Sequence, residues 1–427
     1  MTGAKSRHVN IVGGGIAGLL AAVELARGGA QVTVFEAAGA LGGRARTRQA
    51  DGYSLNQGPH ALYLGGAFRR ELKRLGVPFS GGRALASSRK AIWKGRLHEL
   101  PVNAKSLLRT GLFGIGDKIR YVGVLKAISN GVKAEGSFAH WLDTQKLSPV
   151  MRASLEALAR LSGYANGPQF ISAQAMLDQI RLALGGTLYL DGGWATLVNG
   201  LMAAAREAGV MLHAGAHVEQ VIVEGRRSRV VLADGSAHEA DATLLAVGPS
   251  EAAALAPHVA SLQVEAREAM PVKANALDLA LKRLPDGAQE FAIGIDGPFY
   301  FSLHSGSAKL APDGGAVVHV AKYLPTGTGP ERNAIEELEG VADLVMPGWR
   351  AFEVKRQELR GMVVANGLPR WDRARPAVTL ANAPGVFIAG DWVGDEGMIA
   401  DTAAASAMQA AEAVAQWLAI GGVARAA

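Results

Sequence analysis

Along the opening segment the spacing of apolar residues changes twice. His8 to Val12 is a short apolar run suited to a buried strand. Leu19 to Arg27 holds good helix formers and stops at Gly28-Gly29; Gln31 to Phe35 is a second strand, ended by Glu36. The order is β-α-β, and the first turn reads Gly13-Gly14-Gly15-Ile16-Ala17-Gly18. Short apolar runs return later. Gly192-Gly193-Trp194 opens a helix to about Ala208, and Val210 to His213, Val218 to Val223, Val230 to Leu232 and Ala242 to Val247 read as strands. Near the end, Gly385 to Ala389 is a short apolar strand, followed by Gly390-Asp391-Trp392 and an Ala-rich helix from about Ile399 to Ile420.

The intervening stretches have another character. Ser88 to Leu100 predicts a hairpin turning at Lys94-Gly95. Ala276 to Leu281, Pro298 to His304 and Val317 to Tyr323 predict strands of an antiparallel sheet, with a hairpin turn at 311–315. Residues 104–134 mix Leu, Ile, Val and Phe with six Lys or Arg and one acid, Asp117. Such a basic amphipathic stretch either rests on a membrane or serves as a lid over a cleft, and Gly111, Gly114 and Gly116 weaken it as a single helix.

Each part of the first turn has a physical task. Gly13 permits the tight turn, Gly15 lets a pyrophosphate approach the backbone, and Gly18 lets helix and strand pack closely. The helix N-terminus, from Ile16 and Ala17 onward, offers free N–H groups and partial positive charge to a phosphate. Glu36, at the tip of the second strand, suits ribose hydroxyls and would repel a 2′-phosphate. Gly42-Gly43-Arg44 follows closely, fitting a loop beside a pyrophosphate whose charge Arg44 neutralises.

Composition bounds the rest. A chain of 427 residues with 49% apolar and 19% charged residues builds more than one core. There is no cysteine, which excludes disulfides, thiolate nucleophiles and a cysteinyl-flavin link. The net charge of +6 is modest for this length, and no basic run interleaved with aromatics suggests nucleic acid. The polar, basic start lacks the apolar region of a signal peptide, and no run of 18 apolar residues occurs, so a cytoplasmic location is expected, with attachment to the inner face of a membrane as an added possibility. No metal site is expected.

Residues 8–64, with the β-α-β turn, Gly42-Gly43-Arg44 and Gly58-Pro59-His60, resemble the FAD-binding start of the flavin amine oxidase, protoporphyrinogen oxidase and phytoene desaturase superfamily. The Gly390-Asp391 segment and the small-residue helix after it resemble that superfamily's second signature. The resemblance implies a non-covalent FAD. It implies that Gly58, Pro59 and His60 turn near the flavin, and that the backbone at Val218 meets the adenine. Gly390 and Asp391 would meet the pyrophosphate and ribityl chain. The helix start at Gly397, Met398 and Ile399 would face the flavin pyrimidine, its dipole favouring negative charge there. The fold class expected is α/β, α+β overall. A Rossmann-type FAD-binding domain is built from 1–80, 190–270 and 376–427. A substrate domain with an antiparallel sheet and helices is built from 81–189 and 271–375.

Candidate chemistry is spread over both domains. Lys322 either holds a water near the flavin's reactive nitrogen, as a lysine does in amine oxidases, or is a surface lysine at a strand end. Tyr300 and Trp392 either wall the substrate or pack in a core. His60 and His304 either act as base or polar contact, or satisfy structural hydrogen bonds. Asp395 and Glu396 sit beside the flavin loop and either bind cofactor, solvate the loop or attract a cationic substrate. No second Gly-x-Gly-x-x-Gly turn with strand–helix context is evident, so the electron acceptor is expected to be oxygen, a quinone or another diffusible molecule. Three readings follow: a dehydrogenase or desaturase of an apolar small molecule, an isoprenoid among the candidates; an amine oxidase; and a flavoprotein with a structural or partner-subunit role.

Overall fold

A computed structural model describes residues 7–84, 88–329, 331 and 333–424. Five short strands form a parallel sheet in the order Met211–Ala214, Gln31–Glu36, His8–Val12, Ala242–Leu245 and Val386–Ile388. The central strand pairs Val9 with Val32 on one side and with Ala242 on the other. Strands buried on both faces need covers on both faces. On one face lie the helices Ile16–Arg27, Ala195–Glu207 and Ile399–Ala424, packed on Val9, Ile11, Val34 and Leu244. On the other lie the antiparallel strands Val218–Glu224, Arg227–Leu232 and Ala237–Ala240 and the helix Pro249–Leu255, packed on Val12, Phe35 and Leu245. Ala404, Ala407, Ala410 and Ala411 give the last helix a narrow buried face, which lets it approach Ile16–Arg27 closely. The strand Ala237–Ala240 and the final turn of the last helix, beyond Ile420, extend the sequence expectation.

A second sheet of seven strands stands beside the first. Its order is Glu353–Ala365, Val272–Leu281, Ala316–Tyr323, Phe299–Leu303, Phe291–Gly294, Arg89–Trp93 and Arg96–Glu99. All pairs are antiparallel except Phe291–Gly294 with Arg89–Trp93. The expected hairpin is present, with Lys94 at φ 50° and Gly95 at φ 69° supplying the left-handed turn that joins twisted strands tightly. The edge strand Glu353–Ala365 has no counterpart in the sequence reading. Its Glu, Lys and Arg side chains mask it, and it is mostly half-exposed, as an edge strand tolerates.

The helix Ala334–Val345 covers one face of this sheet. Helices Ile115–Ser129, Phe138–Thr144, Pro149–Gly163 and Ala173–Leu184 form a separate packed cluster against its far end. The 104–134 stretch is not one helix. It splits into Ala104–Arg109, capped by Asn103 through the Ser106 N–H, and Ile115–Ser129, with Gly111 and Gly114 in the break. No described helix is long and apolar enough to cross a membrane.

Candidate functional site

A cavity of about 980 Å³ opens between the two sheets, large enough for a cofactor with a substrate beside it. Its polar end is made by the first β-α-β unit and the Gly390-Asp391 turn. Gly13, Gly15, Ile16, Ala17, Glu36, Gly42, Gly43, Arg44, Gly390 and Asp391 all line it. Gly13 sits at φ +107°, where a Cβ would lie 2.5 Å from the Ala246 carbonyl oxygen. At Gly15 a Cβ would meet no protein atom within 4 Å, so the backbone there is open to a ligand. Gly18 lies outside the cavity and has the expected packing role: a Cβ would come within 2.0 Å of the Gly13 oxygen.

The two charged groups of this end are already partly committed. Glu36 accepts the Gly14 N–H at 2.8 Å and the Ala38 N–H at 2.9 Å, which pins the carboxylate at the strand tip. Arg44 bonds the buried Asp391 carboxylate at 2.7 Å and the Val364 carbonyl at 2.9 Å. The guanidinium expected to neutralise a pyrophosphate is thus also the partner of a carboxylate. Its charge holds an otherwise costly buried carboxylate, which also accepts from the Asn366 N–H and side-chain amide. Trp194 lines the cavity with its ring, while its buried indole N–H has no partner among the described residues. Open backbone at Gly15, a helix N-terminus and an acid at the strand tip fit a dinucleotide.

The floor comes from the second sheet and the Gly58–His60 turn. Pro59 and His60 line the cavity; Gly58 lies beneath, its N–H donating to Asp278 at 3.1 Å. The His60 Nδ1 faces the Gly58 carbonyl at 3.0 Å, so Nδ1 carries a proton, and burial lowers the ring's affinity for a second one. Tyr300 and His304 both line the cavity, with the Tyr300 hydroxyl 3.1 Å from His304 Nε2. Tyr189 stacks on His304 with centroids 3.7 Å apart, and its hydroxyl lies 3.2 Å from that of Tyr300. Burial raises the Tyr300 and Tyr189 hydroxyls above the usual tyrosine range. Sequence reasoning missed Tyr189, together with Tyr63, Tyr164 and Tyr323, because they come from distant elements with no local motif.

Several candidates lie elsewhere. Lys322 is on the opposite face of its strand, where it bonds Glu331 at 2.7 Å and Glu337 of the covering helix at 2.6 Å. Strand alternation turns its neighbours Ala321 and Tyr323 the other way. Trp392 is buried behind the cavity, its indole N–H donating to the Val247 carbonyl. Val218 packs in the cluster with Phe35 and does not line the cavity. Of the last helix start, Ile399 lines the cavity; Gly397 does not, and Met398 is buried beside Gly163. Glu396 pairs with Arg70, and neither it nor Asp395 reaches the cavity.

Asp401, in the first turn of the last helix, does line the cavity. It accepts the Phe68 N–H at 2.8 Å through Oδ1, while Oδ2 has no partner among the described residues. Burial pushes its carboxyl up to about 6, against the opposing Phe68 bond. A folded value above the unfolded one means the native state holds the extra proton between the two. Stability therefore falls as pH rises through that window. Asp401→Asn is expected to flatten this dependence and to gain roughly 1–2 kcal/mol at pH 8 with little change at pH 4. Thermal melts of both proteins at the two pH values check it, and a parent whose stability rises over that window refutes it.

The parallel sheet, the Gly-rich turns and the second sheet across a cavity give the molecule a two-part architecture with one large site between the parts. A sequence profile of flavin-containing amine oxidoreductases matches residues 16–415, and the chain belongs to that family. The family implies a flavin cofactor. A 4,4'-diaponeurosporene oxygenase from Staphylococcus aureus is 24% identical over 261 residues, covering 52% of each chain. The chain thus spans about half the length of the curated relatives it matches. Among solved structures, an oxidoreductase from Methanosarcina mazei has a TM-score of 0.75 at 18% identity, over 95% of this chain and 100% of that one. Cyclohexylamine oxidase from Brevibacterium oxydans has 0.71 at 16% identity, over 97% and 99%. At such identities these likenesses speak for the fold, which agrees with the expected α/β class.

Proposed function

We propose that the chain is an FAD-dependent dehydrogenase or desaturase of an apolar, isoprenoid-like molecule, with FAD held non-covalently. The observation that carries the reading is the cavity's second arm. Leu125, Ala157, Leu158, Leu161, Phe291 and Ile293 line it with hydrocarbon. The features that favoured an amine, Lys322 and the Asp395-Glu396 pair, lie outside that lining. The Staphylococcus relative, named for a carotenoid-type molecule, points the same way. Segments 1–80, 190–270 and 376–427 would serve the cofactor, and 81–189 and 271–375 the substrate.

When bound, the flavin supplies a two-electron acceptor for a hydride. The chain does the positioning. Gly15 and the helix behind it would hold the pyrophosphate, Glu36 the ribose, and Asp391 the ribityl hydroxyls. The apolar arm would align a C–H bond and exclude water. Oxygen or a quinone would then reoxidise the cofactor. The deciding experiment is anaerobic mixing of the FAD-loaded protein with a linear polyene in liposomes, and separately with putrescine or cyclohexylamine. Bleaching of the flavin bands by the polyene is expected. Bleaching by the amines alone would overturn the reading.

A helix that lines the cavity also carries a surface suited to lipid. Tyr121 and Leu125 of the helix Ile115–Ser129 line the cavity, while Ile115 and Ile119 of the same helix are 81% and 72% exposed. Leu108, 77% exposed, adds to the patch, and Lys105, Arg109 and Lys118 surround it with positive charge. An anionic bilayer matches that combination. Replacing both Ile115 and Ile119 by Glu is expected to weaken flotation with anionic liposomes about tenfold or more, without loss of flavin. A parent protein that stays at the bottom of the gradient would refute the membrane contact.

A further inference from the structure

Beneath the cavity floor lies a group of titratable side chains to which the family signature assigns no role. Asp278 and His319 face each other across the strands Val272–Leu281 and Ala316–Tyr323, with His319 Nδ1 2.6 Å from Asp278 Oδ1. Both side chains are fully buried. Asp278 Oδ2 also accepts the Gly58 N–H at 3.1 Å and the Gln357 amide at 2.9 Å, so the carboxylate is held from three sides. The His304 ring lies 4.2 Å from that of His319, centroid to centroid. His304 Nε2 is engaged with the Tyr300 hydroxyl, which reaches the cavity.

Two atoms in this group are unexplained. His304 Nδ1 and His319 Nε2 are both buried, and neither has a hydrogen-bond partner among the described residues. Two orphaned polar atoms on adjacent buried rings would each carry a desolvation cost of about 1–3 kcal/mol. The two atoms do not bond each other directly, and one trapped water between the adjacent rings would serve both and remove the cost. They are complementary in only one simple arrangement. A carboxylate accepts, so His319 carries its proton on Nδ1 and leaves Nε2 as acceptor. His304 must then carry its proton on Nδ1, which leaves its own Nε2 to accept from Tyr300.

The geometry points to a directional proton relay running from the cavity into the sheet: Tyr300, His304, His319, Asp278. Its use in catalysis rests on the oxidation proposed above. Removing two hydrogens from neighbouring saturated carbons releases one hydride and one proton. The electron pair leaves with the hydride to the flavin, and the proton needs a separate acceptor. Tyr300 Oη takes that proton as its own passes to His304 Nε2. His304 Nδ1 in turn gives its proton to the bridging water, which passes one of its own to His319 Nε2. The final state is a His319 imidazolium held by the ionised Asp278, with Tyr300 and His304 neutral again. Burial and the neighbouring His319 and His60 rings hold His304 well below the usual imidazole range, so it passes the proton on and does not retain it. Tyr300 is the member that touches substrate; the other three act through it.

The test uses the FAD-loaded protein labelled with ¹⁵N-histidine and read by NMR at pH 8. The expected result is a neutral His304 and a neutral His319, both protonated on Nδ1, with the His319 proton far downfield from its short bond to Asp278. A proton on His304 Nε2 would overturn the relay, because that nitrogen could then take nothing from Tyr300. Tyr300→Phe keeps the ring and removes the cavity end of the path. Exchange of the His319 Nδ1 proton with D2O should slow about tenfold or more in that variant; an unchanged rate would overturn the relay. Should the variant fail to fold, the tautomers in the parent protein decide alone. Correct tautomers in a protein whose flavin no substrate bleaches would leave the relay standing and sink the oxidation reading, so the two failures are separable.

Discussion

Gly15→Asp is expected to yield a folded protein without flavin. A Cβ at this position meets nothing in the chain within 4 Å, so the substitution costs the fold little. Its carboxylate, however, would stand at the N-terminus of the helix Ile16–Arg27, where the cofactor pyrophosphate is proposed to lie. Two like charges about 4 Å apart repel by roughly 4 kcal/mol at an effective dielectric near 20, which is about a thousandfold in affinity. The measurement is flavin absorbance per protein after dialysis against excess FAD, with a thermal melt of the apoprotein alongside. A yellow variant would show that the pyrophosphate lies elsewhere. Gly18→Ala is the contrasting control. Its Cβ would fall 2.0 Å from the Gly13 carbonyl oxygen, so it should lose stability and flavin together.

Asp278→Ala is expected to be among the most destabilising single changes in the second sheet, at about 2–4 kcal/mol. The carboxylate is fully buried and receives the His319 ring, the Gly58 N–H and the Gln357 amide. Truncation leaves the buried His319 Nδ1–H without an acceptor, leaves the Gly58 N–H and the Gln357 amide with only the Asn56 carbonyl, and opens a cavity between adjacent strands. Urea denaturation followed by tryptophan fluorescence measures the loss. A change below about 1 kcal/mol would mean that these donors find water or new partners. Asp278→Asn keeps one acceptor oxygen and should recover part of the loss.

The cofactor end of the site was legible because its rules are local. Gly13, Gly15, Gly18 and Glu36 sit within one β-α-β unit, and fixed spacing along the chain converts directly into fixed geometry. The Gly390-Asp391 turn was legible for the same reason. The substrate end was not. The strand Ala316–Tyr323 is apolar on both faces, with Val318 and Val320 under the covering helix and Ala321 and Tyr323 on the side of Tyr300. Its hydrophobic pattern therefore gives no sign of which face looks into the cavity, and one residue of register separates Lys322 from Tyr323. Asp278 and His319 meet only through cross-strand pairing of segments whose separation in sequence varies freely. The commitment of Arg44 to Asp391 was hidden too, although both residues had been singled out, since nothing along the chain says that two candidate ligands of one cofactor will bind each other.

The order of strands in the parallel sheet has a consequence for how the protein is made. Its outer strand, Val386–Ile388, pairs with Ala242–Leu245, but the strands of the second sheet from Val272 to Ala365 lie between the two in the chain. During synthesis the β-α-β unit therefore has neither that edge partner nor the cover of the helix Ile399–Ala424 until the second sheet has emerged. Gly390 and Asp391 arrive at the same late moment. A growing chain of this design holds an open sheet edge and exposed apolar surface for longer than one whose strands are consecutive.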